Sequence, residues 1–323
     1  MSKKLLLASS IALVTSIAAT PAFAAVSIDE PLDTPGALSS PWVVSGTVNP
    51  SVVQEIGDTP EYALRLTNDD ESQNGFVLYN EAISVTAGID VRFTQAQFGG
   101  NGADGIVFFI KDGADNDTTP GGTGGAMGYA PSNADGLSGA LLGIGLDGYG
   151  SFGTADTDGT GCADNGYVEA QGGGDNNVIV LRGAGQGTAG YCRLADVASL
   201  DDLGLAPLVD GYTTREDAAA DVRVIVDPVT ANDPRVVVFY NDTEIINVPL
   251  PDEFAEVSTV KIGFTAGTGG SVDFHDVWGL TATTSPNPPV LAETGVDAGL
   301  FGITATSLIA AGGIALAVRR RKA

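Results

Sequence analysis

Three glycine-rich segments carry the residues whose chemistry could bind a ligand. In the first, Asp104 places a carboxylate beside glycine at the mouth of the apolar run Gly105–Ile110. The second, residues 121–129, is so rich in glycine that its backbone N–H groups are open to a ligand that approaches the main chain closely. In the third, a strand-like run ends at Asp147 and leads into a turn full of oxygen donors. A carboxylate, main-chain donors and oxygen ligands are thus available in three loops.

Each of these segments also has a purely structural interpretation. Asp104 can cap a turn beside glycine, Asp147 with Gly148 can form a hairpin turn, and glycine runs can fill loops. A glycoside hydrolase would need a second carboxylate on the strand before Asp147, yet Gly143 and Gly145 hold those same-face positions. Since no nucleophile elbow or Ser–His–Asp arrangement is present either, the sequence predicts a protein that is not an enzyme.

The elements that must position these loops are short strands. Strand-like runs recur along the chain, separated by clusters of Gly, Asp, Asn and Pro. They are Ala63–Leu66, Gly75–Tyr79, Ala82–Val85, Ile89–Phe93, Gly105–Ile110, Leu141–Leu146, Asn177–Arg182, Asp221–Val226, Arg235–Tyr240, Thr243–Val248, Thr259–Phe264 and Val272–Leu280. In one of them, Val222, Val224 and Val226 share a face. The pattern predicts an all-β sandwich or barrel, with residues 194–217 as a short helical or irregular insertion.

The composition argues against several kinds of partner. The net charge is -25, from 40 acidic and 15 basic residues, and no basic stripe is left to neutralise phosphates, so no nucleic acid is expected. Apolar residues make up 43% of the chain, which is enough for a folded core. The single histidine, His275, and the lack of Cys/His clusters argue against structural zinc. A hydrogen bond that maintains the fold is the expected role of His275.

The N-terminus predicts export. Two lysines precede an apolar stretch from residue 5 to about 18, and Ala22-Phe23-Ala24 supplies the small residues that a signal peptidase reads. Residues 1–24 are therefore predicted to be a secretory signal peptide. An oxidising exterior then favours a disulfide between Cys162 and Cys192, with two free thiols as the alternative.

The C-terminus resembles the sorting signal of sortase-anchored proteins of Gram-positive bacteria. Residues 284–295 form a Pro-rich spacer that ends in Leu291-Ala292-Glu293-Thr294-Gly295, a variant of the LPxTG signal. A predicted transmembrane helix, 296–318, and a basic cytoplasmic tail, 319–323, follow. The resemblance implies cleavage between Thr294 and Gly295 and transfer to cell-wall peptidoglycan by sortase. A plain C-terminal membrane anchor is the alternative.

The central domain, residues 25–283, resembles the L-type (legume-like) lectins. The resemblance covers about residues 40–283 and rests on the order of several motifs. These are Ala103-Asp104-Gly105, Gly124-Gly125 with Gly128-Tyr129, Leu146-Asp147 with Tyr149, Asn177–Gly183, Gly187–Tyr191, and Ile262–Gly270 followed by His275-Asp276-Val277. The resemblance implies a concanavalin A-like, jelly-roll β-sandwich with a sugar site at one end.

The resemblance also implies which residues contact the sugar. Asp104, preceded by a cis peptide bond, would accept hydrogen bonds from sugar hydroxyls, and Gly124 or Gly125 would donate a backbone N–H. Tyr149 or Phe152 would stack on the apolar face of the sugar. The full set of residues expected to bind carbohydrate is Asp104, Gly124, Gly125, Tyr149 and Ser151.

A calcium site beside the sugar is a further implication of the resemblance. Its expected ligands are Asp147, Tyr149, Ser151 and Asp156. Ser151 replaces an Asn that in the family contacts both calcium and sugar, and a hydroxyl is a weaker ligand, so the sequence leaves calcium open. The transition-metal site of legume lectins needs an acid and a histidine where this chain has Gly145 and Gly161, so no transition metal is expected.

Together these features predict a secreted, cell-wall-anchored surface lectin that binds glycans in adhesion or recognition, without catalysis. One alternative is a structural or protein-binding surface module that has lost the sugar site, for which Ser151 in place of Asn is the best support. The other is a glycan hydrolase with an unrecognised pair of acids.

Overall fold

Almost all regular structure in the described part of the chain is β-strand. The computed structural model describes residues 27–163, 166–174 and 176–284. The predicted signal peptide 1–24, the sorting residues Thr294 and Gly295, the predicted helix 296–318 and the tail 319–323 lie outside these residues. Within the described ranges, no helix is long and apolar enough to cross a membrane.

The strands of the described ranges, with one short α-helix, follow one another along the chain. They are β1 Ser27–Glu30, β2 Trp42–Gly46, β3 Ser51–Gln54, β4 Tyr62–Thr67, β5 Asn74–Ser84, β6 Ile89–Phe98, β7 Gly105–Asp112, β8 Ala140–Asp147, β9 Val178–Arg182, β10 Gly185–Gln186, β11 Ala189–Gly190, β12 Ala198–Ser199, α1 Leu200–Leu203, β13 Ala220–Val226, β14 Arg235–Tyr240, β15 Thr243–Pro249, β16 Thr259–Gly267 and β17 Phe274–Thr283.

These strands form two antiparallel sheets packed face to face. The first sheet has the order β15-β14-β13-β6-β17-β4-β3, with β1 paired to β17. The second sheet has the order β11-β10-β8-β7-β16-β5-β2, with β9 between β8 and β12. The core between the sheets is built from both of them. The predicted all-β sandwich is therefore confirmed.

Two kinds of sequence pattern produce these sheets. In β13, Val222, Val224 and Val226 are buried and the residues between them are more exposed, as predicted. By contrast, β7 and β8 lie inside the second sheet and are buried on both faces, so they are apolar almost throughout. Between the sheets, the rings of Phe93 and Phe108 pack with their centroids 5.7 Å apart, which ties the first sheet to the second.

Every predicted strand overlaps an observed one, although the boundaries differ. The runs Gly75–Tyr79 and Ala82–Val85 belong to one long strand, β5. Six short strands of the described ranges have no counterpart in the prediction: β1, β2, β3, β10, β11 and β12. Each has only two to five residues, too few for a clear pattern of alternation. The predicted insertion 194–217 is mostly irregular and contains α1.

The predicted disulfide between Cys162 and Cys192 is confirmed. The two Cα atoms lie 5.4 Å apart, and the bridge ties the long loop after β8 to the segment after β11. Since the bridge spans a sequence separation of 30 residues, the chain-entropy argument gives it roughly 3–4 kcal/mol of stabilisation.

A buried cluster of charges stabilises the first sheet. Asp276 on β17 is fully buried and accepts hydrogen bonds from two arginines. Arg65 binds both of its carboxylate oxygens, at 2.8 and 2.9 Å, and Arg215 binds Oδ2 at 2.9 and 2.7 Å. Glu55 adds a second anion 2.8 Å from Arg65. Two largely buried guanidinium groups thus depend on the carboxylate of Asp276.

His275 lies next to this cluster and has the structural role that the sequence predicts. Its Nδ1 is 2.5 Å from Thr67 Oγ1, so the ring links β17 to β4. Burial, together with the nearby charge of Arg65, lowers the pKa of His275 to about 3. The ring is therefore neutral at neutral pH, and a hydrogen bond that maintains the fold is confirmed.

Replacing Asp276 by Asn should destabilise the fold strongly. The variant keeps the shape but leaves two buried guanidinium groups without their anion, which is expected to cost roughly 3–5 kcal/mol in urea unfolding. The control is Asp90→Asn, which removes the partner of Arg223 at the surface of the same sheet, 2.6 Å away. That pair is partly solvated, so its loss should cost about 1 kcal/mol or less. Equal losses in the two variants would contradict the argument.

Candidate functional site

The three glycine-rich segments singled out in the sequence meet at one end of the second sheet. Asp104 directly precedes β7 and Asp147 ends β8, and Gly105 stands opposite Asp147 in the pairing of these strands. The amide of Tyr149 donates to the carbonyl of Asp104 at 3.3 Å. The glycine loop, residues 121–129, reaches the end of β16 because the amide of Gly124 donates to Thr268 O at 3.2 Å.

Asp104 has the most unusual environment at this end of the sandwich. Its side chain is only 5% exposed, and its Oδ2 is buried without a hydrogen-bond partner. Two glycines border this oxygen: a methyl group at Gly269 would lie 3.0 Å from Oδ2, and one at Gly124 would lie 3.8 Å away. The peptide bond between Ala103 and Asp104 is cis, as the resemblance implies. The carboxylate therefore faces main chain, and no neighbouring side chain neutralises it.

Burial shapes the protonation of both carboxylates at the site. Burial alone raises the pKa of Asp104 to about 7. Burial also raises the pKa of Asp147 to about 7, with the charge of Asp104 adding to the rise and hydrogen bonds from the amides of Gly150 and Gly153 opposing it. Both acids thus have a pKa near neutral pH, and the charge of Asp104 disfavours ionisation of Asp147.

The glycine loop packs directly on the turn after β8. A methyl group at Gly125 would lie 2.3 Å from Ser151 Cβ, so a glycine is required where Ser151 approaches the loop. The amide of Gly124 is already bonded to Thr268, and a ligand would have to compete for it. The structure therefore brings Asp104, Gly125 and Ser151 together, as the sequence predicts, around one small patch of main chain.

The expected calcium ligands do not fit a calcium ion. Asp147 is fully buried, with Oδ1 accepting the N–H of Gly150 at 2.7 Å and Oδ2 accepting that of Gly153 at 3.1 Å. The carbonyl of Tyr149 accepts a hydrogen bond from Asn176 at 2.8 Å. Calcium needs about six to eight oxygens that converge on it. Because the oxygens of Asp147 and Tyr149 already accept hydrogen bonds within the protein, they form a poor calcium site.

The other two expected calcium ligands, Asp156 and Ser151, do not complete a calcium site. Asp156 is exposed on the short helical turn Ala155–Thr157. Ser151 could offer only its hydroxyl, the weaker ligand expected from the sequence, because its carbonyl already accepts hydrogen bonds from the backbone and hydroxyl of Thr154, at 3.1 and 2.9 Å. In the described part of the chain, no group of three or more His, Cys, Asp or Glu residues could hold a metal ion.

Phe152 cannot stack on a ligand, which corrects one of the two aromatic candidates. Its ring is fully buried, with the guanidinium of Arg182 4.8 Å from its centroid and the ring of Tyr129 6.2 Å away. Tyr149 is partly exposed and remains the aromatic candidate. Phe152 instead forms part of the small core beneath the turn, because the hydrophobic cluster on the outer side of the second sheet includes it.

Sequence reasoning missed two features of this region. The first is Arg182, whose fully buried guanidinium binds the turn after β8; a lone arginine at the end of a strand gave no signal of this. The second is a cavity of about 220 Å³ between Gln97, Gly102, Val209 and Tyr212. Part of its lining comes from the irregular insertion 194–217, where no sequence pattern fixes the path of the chain.

Comparison with known proteins agrees with this fold. No protein-family model and no curated protein sequence matches the chain. Among solved structures it is similar to lectin II from Ulex europaeus, with a TM-score of 0.51 at 18% identity over 81% of this chain and 99% of that chain. It is also similar to the metal-free form of lectin I-B4 from Griffonia simplicifolia (0.50, 15%, 80% and 98%) and to lectin UEA-II complexed with galactose (0.50, 17%, 81% and 99%). At this identity the likeness shows the fold alone, a β-sandwich like that of the legume lectins.

The raised pKa of Asp104 makes stability depend on pH. Between about pH 4, the ordinary value, and about pH 7, the folded chain holds a proton that the unfolded chain has lost, so stability falls as pH rises. Asp104→Asn should flatten this fall by roughly 1 kcal/mol per pH unit in urea unfolding between pH 5 and 7. Asp201→Asn, at an exposed position on α1, serves as the control. If the free energy of unfolding of Asp104→Asn depends on pH as steeply as that of the wild type, the raised pKa of Asp104 is contradicted.

A side chain at Gly125 should disturb the site, whereas one at Gly270 should not. The new methyl group of Gly125→Ala would overlap Ser151 and force the glycine loop away from the turn, at an expected cost of roughly 1–3 kcal/mol. A methyl group at Gly270 would meet no atom within 4 Å, so Gly270→Ala is the matched control. Thermal unfolding of the two variants compares them directly, and equal midpoints would show that the contact is not tight.

Proposed function

We propose that this chain is a non-catalytic carbohydrate-binding protein whose ligand site is centred on Asp104. The observation that carries the proposal is the buried, unpartnered Oδ2 of Asp104. A buried carboxylate oxygen without a donor is costly, and the hydroxyl of a bound sugar supplies the missing donor. The legume-lectin-like fold supports the same function.

The walls of the site suit a ligand rich in hydroxyl groups. Glycines at 124 and 269 leave the main chain open beside the carboxylate, so a sugar ring can approach the backbone closely. The hydroxyl of Ser151 borders the same patch, and Tyr149, whose amide donates to the carbonyl of Asp104, is the candidate for an aromatic contact. The site therefore combines a strong acceptor with a glycine-lined surface.

The negative charge of the chain and of the site limits which glycans we expect to bind. The net charge of the chain is -25, and Asp104 stands beside a second buried acid, Asp147. An anionic sugar, such as a sialylated or sulfated one, would be repelled by both. Neutral sugars are therefore the proposed ligands.

The geometry also disfavours the hydrolase alternative. A retaining or inverting glycosidase needs two carboxyl groups that both reach the scissile bond. Asp147 is the nearest second acid, yet it is fully buried and its oxygens accept backbone amides. Asp104 alone can accept hydrogen bonds from a ligand but cannot supply the acid–base pair.

The proposed setting of this activity is the bacterial surface. The predicted signal peptide, 1–24, and the sorting pentapeptide that contains Thr294 and Gly295 support export and attachment to cell-wall peptidoglycan by sortase. The disulfide Cys162–Cys192 agrees with an oxidising exterior. A lectin displayed in many copies on a wall gains avidity, which suits adhesion or glycan recognition.

Binding of the purified full chain to a glycan array tests this function. Neutral glycans should bind, and Asp104→Asn should weaken binding at least about tenfold, because it removes a charged hydrogen bond of roughly 1.5–3 kcal/mol. Binding should also strengthen from pH 6 to pH 8, since the ionised carboxylate is the stronger acceptor and its pKa is about 7. Asp201→Asn on α1 controls for surface charge.

Three results would count against the proposal. Absence of glycan binding by the folded, disulfide-bonded chain would favour a structural or protein-binding module. Equal binding by wild type and Asp104→Asn would place the sugar elsewhere. Cleavage of a bound glycan would favour a hydrolase.

A further inference from the structure

A buried arginine holds the turn that follows β8. Arg182 is the last residue of β9, and its side chain is fully buried. Its guanidinium nitrogens all donate hydrogen bonds, mostly to the turn. The acceptors are Phe152 O (3.0 Å from Nε and 2.6 Å from Nη2), Thr154 O (2.9 Å), Thr157 Oγ1 (2.6 Å), Asp158 Oδ1 (2.5 Å) and Tyr191 O (2.6 Å). One positive charge therefore gathers two carbonyl groups, a hydroxyl and a carboxylate of the turn.

Asp147 organises the amide groups of the same turn. Its carboxylate accepts the N–H of Gly150 at 2.7 Å and that of Gly153 at 3.1 Å. Two carbonyls of the turn thus face a buried cation, and two of its amides face a buried anion. In a calcium-bound loop the metal ion is the cation around which oxygens gather; here a side chain of the protein occupies that role.

Phe152 and Arg182 also fill the space beside β8. The ring of Phe152 lies over Gly145, where a methyl group would be 2.3 Å from Cδ1, and the guanidinium stacks 4.8 Å from the ring centroid. Position 145 is where the resembled lectins need an acid for their transition metal. The ring of Phe152 and the terminal methyl group of Met127, 3.0 Å from the added methyl group, leave no room for that side chain.

The charge of Arg182 disfavours a divalent cation in its neighbourhood. Burial lowers the pKa of Arg182, while the hydrogen bond and charge of Asp158 and the charge of Asp147 oppose that shift. An arginine with several anionic and carbonyl partners stays protonated in a protein. A metal ion placed against it would be repelled where little water is present to screen the two charges.

We propose that Arg182 takes the place of calcium in this chain, ordering the turn 148–158 so that the ligand site forms without a metal. Arg182 is a positioning residue, because it does not line the site itself. Its effect reaches the site through Ser151, which packs on Gly125, and through the segment that carries Tyr149. The effect on sugar binding rests on the proposed function, whereas the ordering of the turn does not.

Calcium binding by the wild-type chain is the first test. Calorimetric titration of calcium chloride into the EDTA-treated full chain should give no saturable binding. The thermal midpoint should shift by less than about 1 °C between EDTA and excess calcium, since a ligand stabilises only the state that binds it. A saturable calcium site that raises the midpoint would overturn the proposal.

Amide hydrogen exchange of arginine variants is the second test. Arg182→Met removes both the positive charge and the N–H donors of the guanidinium. Arg182→Lys keeps the charge but has fewer, differently placed donors. Both should speed exchange of the amides of residues 148–158, by at least about tenfold in Arg182→Met, relative to the core strand β7. Arg223→Met is the matched control, because Arg223 also makes a two-point pair, with Asp90, but on the first sheet.

The outcomes separate this proposal from the proposed function. The role of Arg182 would be overturned if amide exchange in the turn is the same in Arg182→Met as in the wild type. It would also be overturned if chelation of calcium speeds exchange of the turn in the wild type. If Arg182→Met does not fold, Arg182→Lys and the calcium titration still decide. Neither measurement needs a sugar, so a chain that binds no glycan but has a metal-free, arginine-ordered turn would disprove the lectin function alone. Where a glycan binds, EDTA should leave its affinity unchanged and Arg182→Lys should weaken it.

Discussion

The ligand end of the sandwich depends on the close approach of several chain segments at Gly105. This residue pairs with Asp147 on β8 and with Gly267 on β16. A methyl group at Gly105 would lie 2.2 Å from the carbonyl oxygen of Leu146 on β8 and 2.6 Å from Met127 Sδ, so even alanine would force these segments apart. Because no side chain intervenes, the loop closes over the strand ends and its backbone comes to lie beside Asp104. The apolar strand β7 fixes this position, since it is buried along almost its whole length.

Buried charges organise the loops around this rigid centre. Besides the arginines already described, Lys111 is fully buried on β7 and binds Asp115 Oδ1 at 3.0 Å, and Lys261 on β16 binds Asn116 Oδ1 at 2.9 Å. The acidic loop after β7 is therefore anchored by lysines from two neighbouring strands. In a chain with so few basic residues, many of these residues hold turns in place, which leaves the outer surface strongly acidic.

The sequence was informative where local pattern decides structure and silent where distant residues meet. Alternation and apolar runs predicted the strands, and the order of glycine and aspartate motifs predicted that Asp104, Gly125 and Ser151 would meet. The side chain of Phe152 could not be placed, because an aromatic residue in a glycine-rich turn can point either way. The partners of Arg182 lie between 9 and 30 residues away along the chain, and no local spacing encodes them. The expected calcium ligands were matched by spacing alone, which says nothing about whether their oxygens are already bonded.

A turn ordered by side-chain charges responds to different conditions from a turn ordered by calcium. The guanidinium of Arg182 is always present, so the cation of this arrangement does not vary with the surroundings. The anion does vary, because burial raises the pKa of Asp147 to about 7, with the charge of Asp104 contributing to that rise. Protonation of either acid removes the repulsion between them, yet a protonated Asp147 is a weaker acceptor for the amides of Gly150 and Gly153. Acidity therefore stabilises the buried pair while loosening the turn, so the geometry of the proposed ligand site is coupled to protons where a calcium-bound loop would be coupled to the metal.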